Sequence, residues 1–130
     1  MDSKVFPDLT WQLPDRWVVV EIDEDSHTDR ASSCELRRIS DLTEAVHRTM
    51  GEIVPVLIVR FNPDAWDGGR ASLEERTEAL ARCVHRLLTE ELGEYTQPIP
   101  YVWYMYYHSK GQSHIDAAHA AAPNVCVVST

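Results

Sequence analysis

Positive charge is scarce in this chain: 12 Lys and Arg stand against 21 Asp and Glu, a net charge of −9 over 130 residues. Phosphate affinity comes largely from Lys and Arg, so this balance opposes non-specific binding to nucleic acid, although it leaves room for a local basic patch. No apolar run approaches the ~20 residues that span a bilayer, which argues against a membrane protein. The opening Met-Asp-Ser-Lys-Val-Phe lacks the apolar core of a secretion signal. The three cysteines, Cys34, Cys83 and Cys126, are odd in number and show no CxxC spacing, so reduced thiols are expected. An intracellular setting follows, with cytoplasm, nucleus and virus all open. Apolar and charged contents of 44% and 25% are those of an ordinary globular domain with one core.

What is present reads as alternating strands and helices. Val5 to Trp11 is a short strand interrupted by Pro7, and Leu13-Pro14-Asp15-Arg16 is a turn. Trp17 to Asp23 follows directly, so the two strands form an antiparallel hairpin. Ser32-Ser33-Cys34-Glu35 matches a capping box, and Leu36, Ile39, Leu42, Val46 and Met50 recur at helical spacing up to Gly51. Val54 to Phe61 is nearly all apolar, as in a strand buried on both faces. Strand, helix, buried strand predicts a parallel pair joined by a right-handed crossover. Asn62-Pro63-Asp64 and Asp67-Gly68-Gly69 mark a loop. A second capping box at Ser72-Leu73-Glu74-Glu75 opens a helix with a stripe of Leu73, Thr77, Leu80, Val84, Leu87 and Leu88, stopped by Gly93. Tyr101 to Tyr107 is an aromatic strand. The fold class is α/β, a mixed four-stranded sheet in the order ββαβαβ. Residues 1–110 make one domain, and 111–130 an Ala/His-rich tail, helical or disordered.

The most informative stretch is Trp17-Val18-Val19-Val20-Glu21-Ile22-Asp23. Side chains alternate faces on a strand, so Glu21 and Asp23 point one way and Val18, Val20 and Ile22 the other. Paired acids on a core strand repel and resist desolvation, and a hard divalent cation such as Mg2+ or Mn2+ offsets both costs. Pairing across the turn brings Asp8 roughly opposite Asp23, within one or two positions. Such a cluster can polarise a phosphodiester and activate water. Arg37 and Arg38, early in the first helix, and Arg60, at the end of the buried strand, are candidate phosphate contacts.

Pro7-Asp8 followed by Glu21-x-Asp23 resembles the PD-(D/E)xK nuclease signature on a restriction-endonuclease-like core. The order extends through Val18–Glu24, His27, Cys34-Glu35-x-x-Arg38 and Ile58-Val59-Arg60-Phe61-Asn62-Pro63-Asp64, and it resembles a branch related to very-short-patch-repair endonucleases. The resemblance covers roughly residues 5 to 66. It implies metal-dependent cleavage of DNA, with Asp8 and Glu21 as metal ligands and Ile22 lending its carbonyl. Asp23 stands where the family usually has lysine, and a second cation held by Asp23 would replace the missing positive charge. His27 would act as general base or phosphate contact. The family usually carries a helix before the Pro-Asp strand, and this chain starts at that strand, as a fragment or a trimmed member would.

A different class of function fits the same residues. Without the lysine and the leading helix, and with an acidic surface, the chain reads as a catalytically degenerate nuclease fold that docks to a larger protein partner. Residue by residue, Glu21 and Arg38 compete between site chemistry and plain ion pairs: Glu21 with Arg38 or Arg60, Arg38 with Glu21 or Asp64. Asp23-Glu24-Asp25 lacks the glycine and terminal glutamate of a calcium loop. His108, His114 and His119 lack zinc spacing. Trp103, Tyr104, Tyr106 and Tyr107 read first as core and cross-strand packing, and only second as base-stacking surfaces.

Overall fold

The turn Pro14-Asp15 sets the register of everything that precedes and follows it. In the computed structural model, which describes residues 8–22, 32–51, 53–64, 66–107 and 126–128, it joins β1 (Leu9–Leu13) to β2 (Arg16–Ile22) as a two-residue hairpin, with Leu13 opposite Arg16 and Leu9 opposite Val20. The chain then runs through α1 (Ser32–Met50), β3 (Val56–Phe61), α2 (Leu73–Thr89), β4 (Pro100–Met105) and β5 (Cys126–Val128). The sheet order is β1-β2-β3-β4-β5; β1 is antiparallel to β2 and all other neighbours are parallel. The α/β class and the mixed sheet agree with expectation. The short fifth strand falls in the stretch read as a tail, where few core residues were expected.

Alternation along the strands divides the core in two. Val19, Val56, Ile58, Val102 and Tyr104 face α1 and pack with Ile39 and Val46. Val18, Val20, Leu57, Val59, Phe61, Tyr101, Trp103 and Met105 face α2 and pack with Cys83 and Val84. The two helices thus cover opposite faces, while both connections step the same way across the sheet. The two crossovers therefore have opposite hands, so the right-handed rule expected for β2–α1–β3 does not hold for both connections.

Helix ends follow local chemistry. Gly51, at φ +70, closes α1 as expected, its N–H donating to the His47 carbonyl at 3.1 Å. The expected box at Ser72 is complete: the Glu75 N–H donates to Ser72 Oγ and the Ser72 N–H to Glu75 Oε1, both at 3.1 Å. The α2 stripe is rotated from the expected one. Leu73 and Thr77 are exposed, and Arg76, Cys83 and Val84 are buried. Cys83 is a free thiol whose pKa burial pushes up, against a weaker lowering pull from Arg86. The helix stops at Thr89, before Gly93, because Glu90 turns extended and Arg16 takes over the exposed carbonyls. Arg16 Nη1 donates to Leu87 O at 2.9 Å and Glu90 O at 2.7 Å, and its other nitrogens grip Asp15 at 2.9 and 3.0 Å. No helix among the described residues is long and apolar enough to cross a membrane.

Arg16 is a cation buried at a helix C-terminus, where dipole and carbonyls both favour it. Arg16→Met should lower the unfolding free energy by about 2 kcal/mol, by orphaning the Leu87 and Glu90 carbonyls; a urea titration measures this. The Arg16 side chain bonds Asp15 and holds its carboxyl pKa below the ordinary value. A lowered folded pKa gives stability that is complete above the ordinary carboxylate range, about pH 4, and lost as pH falls through the folded value. Asp15→Asn should therefore flatten the acid limb of the stability curve below about pH 4, by well under 1 kcal/mol because Asp15 is exposed.

Candidate functional site

The carboxyl ends of β2, β3 and β4 place a polar row on the α1 face. Register aligns Glu21 with Arg60, and Arg60 with Tyr104. The row beneath it on the same face, Val19–Ile58–Val102, is entirely apolar and fully buried. Glu21 is 6% exposed and Arg60 0%, so this pair lies inside the core. Arg38, one turn into α1, reaches down to it. Its Nη2 donates to Glu21 Oε1 at 2.6 Å, while Arg60 Nη2 lies 3.3 Å from Oε2. Each carboxylate oxygen thus has its own guanidinium. The competing ion-pair expectation for Glu21 and Arg38 describes this arrangement.

Asp8 comes to the same edge from β1. Continuing the hairpin register by one residue sets it across from Glu21, two positions from the expected partner Asp23. The shift conserves the face, because the side-chain period along a strand is two. Asp8 Oδ2 accepts the Ile22 N–H at 2.8 Å. Ile22 therefore meets Asp8 through its N–H, and its side chain, 39% exposed, lies on the α2 face. Arg37 is exposed. Asp23 and His27 lie outside the described residues, as do His108, His114 and His119.

Two carboxylates at adjacent positions are hard oxygen donors of the type a Mg2+-class ion takes. Each oxygen has two lone pairs, and the guanidiniums use one on each Glu21 oxygen, so Glu21 can bond both arginines and an ion. Repulsion from Arg38 and Arg60 works against the ion and demands further negative charge. Among the described residues no group of three or more His, Cys, Asp or Glu converges to supply it. In donor type and adjacency Asp8 and Glu21 fit a hard cation; Asp23 is the nearest acid in sequence to complete its shell.

A groove of about 890 Å3 lies elsewhere, on the α2 side, lined by Arg82, Cys83, His85, Arg86, Met105 and Tyr106. One buried residue at the end of β3 was invisible to the sequence reading. Arg76 in α2 bonds the loop that leaves β3 after Phe61. A polar residue at a core-facing helical slot is the signal that marks it.

Removing one member of a buried ion cluster strands the others. Glu21→Gln should cost about 3 to 5 kcal/mol, because the fully enclosed Arg60 loses its counter-charge. Asp8→Asn, at an exposed bond to one backbone N–H, should cost about 1 kcal/mol or less. Denaturant titrations of both variants check the contrast; equal losses would mean that the Glu21 cluster carries no special weight.

No protein-family model matches the chain, and no curated protein or solved structure matches it significantly.

Proposed function

We propose that the chain is a metal-dependent nuclease of the PD-(D/E)xK type, hydrolysing phosphodiester bonds in DNA. The observation that carries the reading is the acid–arginine row at the carboxyl ends of the parallel strands. Ligand sites of open α/β sheets form at that edge, and a buried charged row there is otherwise an expensive way to finish a core. The ordered set from Asp8 through Glu21, Asp23, His27, Arg38 and Arg60–Asp64 supports it independently.

In this reading Asp8 and Glu21 hold the cation, with Ile22 backbone and Asp23 as further oxygen donors. When bound, Mg2+ or Mn2+ polarises the scissile phosphate and lowers the pKa of the attacking water. Arg60 is fully enclosed, so its part is to fix the Glu21 carboxylate rather than to meet phosphate. Arg38 retains some exposure and Arg37 is open to solvent, so these two neutralise the substrate backbone. His27 takes or relays the proton of the attacking water.

A second reading rests on a specific observation: both Glu21 oxygens already bond a guanidinium. The row is then a structural rivet in a degenerate nuclease fold. The exposed apolar side chains Leu9 and Ile22, at 51% and 39%, then belong to a docking face for a larger protein.

One experiment separates the two. Wild type and Asp8→Asn are incubated with supercoiled plasmid and Mg2+ or Mn2+, and their melting temperatures are followed against cation concentration. The nuclease reading expects nicking by the wild type, a loss of about 100-fold or more in the variant, and a cation-dependent rise in melting temperature that the variant lacks. Intact plasmid together with a cation-independent melt would leave the docking module.

A further inference from the structure

At the end of β3, on the α2 side of the sheet, the loop leaving the strand is held by a buried cation. Arg76 is 8% exposed. Its Nη1 donates to the carbonyls of Asn62 and Asp64, both at 3.0 Å, and its Nη2 to that of Pro63 at 3.3 Å. No carboxylate among the described residues pairs with it, and the nearby Glu75 is engaged in the capping box of its own helix. The guanidinium carbon instead lies 5.8 Å from the Trp66 ring centre and 5.6 Å from that of Tyr106, the two rings being stacked at 5.0 Å and 7°. Three consecutive carbonyls and two aromatic faces thus take the place of a counter-ion.

The partners are themselves constrained. Tyr106, just past β4, has φ +62, a left-handed conformation that bulky residues avoid. Its carbonyl accepts Asn62 Nδ2 at 2.9 Å, and Asn62 Oδ1 accepts the Asp64 N–H at 3.1 Å. Asn62 is fully buried and its own N–H donates to Met105 O, so the loop after β3 is tied to the end of β4. A turn needing only to reverse the chain would use glycine at 106 and leave the three carbonyls in water. A strained tyrosine, and a buried cation that carbonyls and rings hold without a carboxylate among the described residues, persist where the surroundings over-determine one geometry, and such places accompany functional sites. The tie begins one residue beyond Phe61, and Arg60 and Tyr104 project into the polar row from the two strand ends that it joins.

We infer that Arg76 is a positioning residue for the acid–arginine site. By clamping the Asn62–Asp64 carbonyls against the end of β4, it fixes the strand end from which Arg60 holds Glu21. This rests on the nuclease reading. Lysine keeps the charge and much of the length, but its point charge cannot span three carbonyls as a planar fork does.

The test compares wild type, Arg76→Lys and Arg76→Gln in thermal melting, amide hydrogen exchange and Mg2+-dependent plasmid cleavage. Arg76→Lys is expected to melt close to the wild type. Exchange at Asn62, Asp64, residues 66–69 and Tyr106 should quicken about tenfold, and kcat should fall about tenfold with little change in KM. Arg76→Gln should fall further on both measures, so that lysine counts as a partial rescue. Faster exchange with unchanged kcat overturns the inference, and so does reduced kcat with unchanged exchange. If the glutamine variant fails to fold, the lysine variant carries the test alone. A wild type without cleavage activity removes the nuclease reading and the positioning role with it, whereas active wild type and equally active Arg76→Lys remove the positioning role only.

Discussion

Glu21, gripped from two sides, ties α1 to two strands, β2 and β3, that the sheet ladder already joins. Its carboxylate belongs to β2, Arg60 to β3 and Arg38 to α1. Ile39, next to Arg38, is fully buried in the core on that face. The helix is thereby fixed in rotation twice, by a hydrophobic side chain that must enter the core and a charged one that must reach the carboxylate. Hydrophobic packing alone tolerates small slides; a bonded ion triad in a low-dielectric site does not, because any displaced member leaves a bare charge.

The two faces of the sheet make the location of this triad informative. On the α2 face the rows Val18–Leu57–Tyr101, Val20–Val59–Trp103 and Ile22–Phe61–Met105 are apolar to the very end of the strands. On the α1 face the rows below Glu21 are apolar and the last is charged. Charge thus enters the α1-facing rows at the carboxyl edge, beneath the start of α1, where Asp8 also arrives from β1, whereas the buried cations of the α2 side, Arg16 and Arg76, bond backbone carbonyls at the ends of α2 and β3.

Much of this was legible in the residues and some was not, for identifiable reasons. The hairpin, the two helices and the apolar β3 follow from turn chemistry, capping boxes and periodicity. The turn at Leu13–Arg16 is the expected one, and counting back from it sets Asp8 opposite Glu21, two positions from Asp23 and within the one or two positions that the expectation left open. The face was still right, for the same reason of period two. Arg60 stands in a run buried on both sides, where alternation carries no information about its surroundings; only the register with Glu21 shows what it meets. The α2 stripe was drawn through Leu73 and Thr77, since a pattern reading rejects arginine from a core. Arg76 belongs there only because Asn62, Trp66 and Tyr106, up to thirty positions away, supply its carbonyls and rings. Likewise the end of α2 at Thr89 depends on Arg16, which no local signal connects to it.

These buried cations change how the net charge should be understood. Arg16, Arg60 and Arg76 are all enclosed, each neutralised differently: by helix-end carbonyls and Asp15, by Glu21, and by loop carbonyls with aromatic faces. Among the 12 basic residues these contribute little to the field outside, whereas most of the described acids are exposed. The surface formed by the described residues is therefore predominantly acidic, and a polyanion meets repulsion over most of it. Substrate or partner approach is then confined to where cations reach solvent. Among the described residues of the acid–arginine corner those are Arg37 and Arg38. A nucleic acid accommodated there would be held by few contacts, so its recognition would rest on the geometry of the corner rather than on bulk electrostatic attraction.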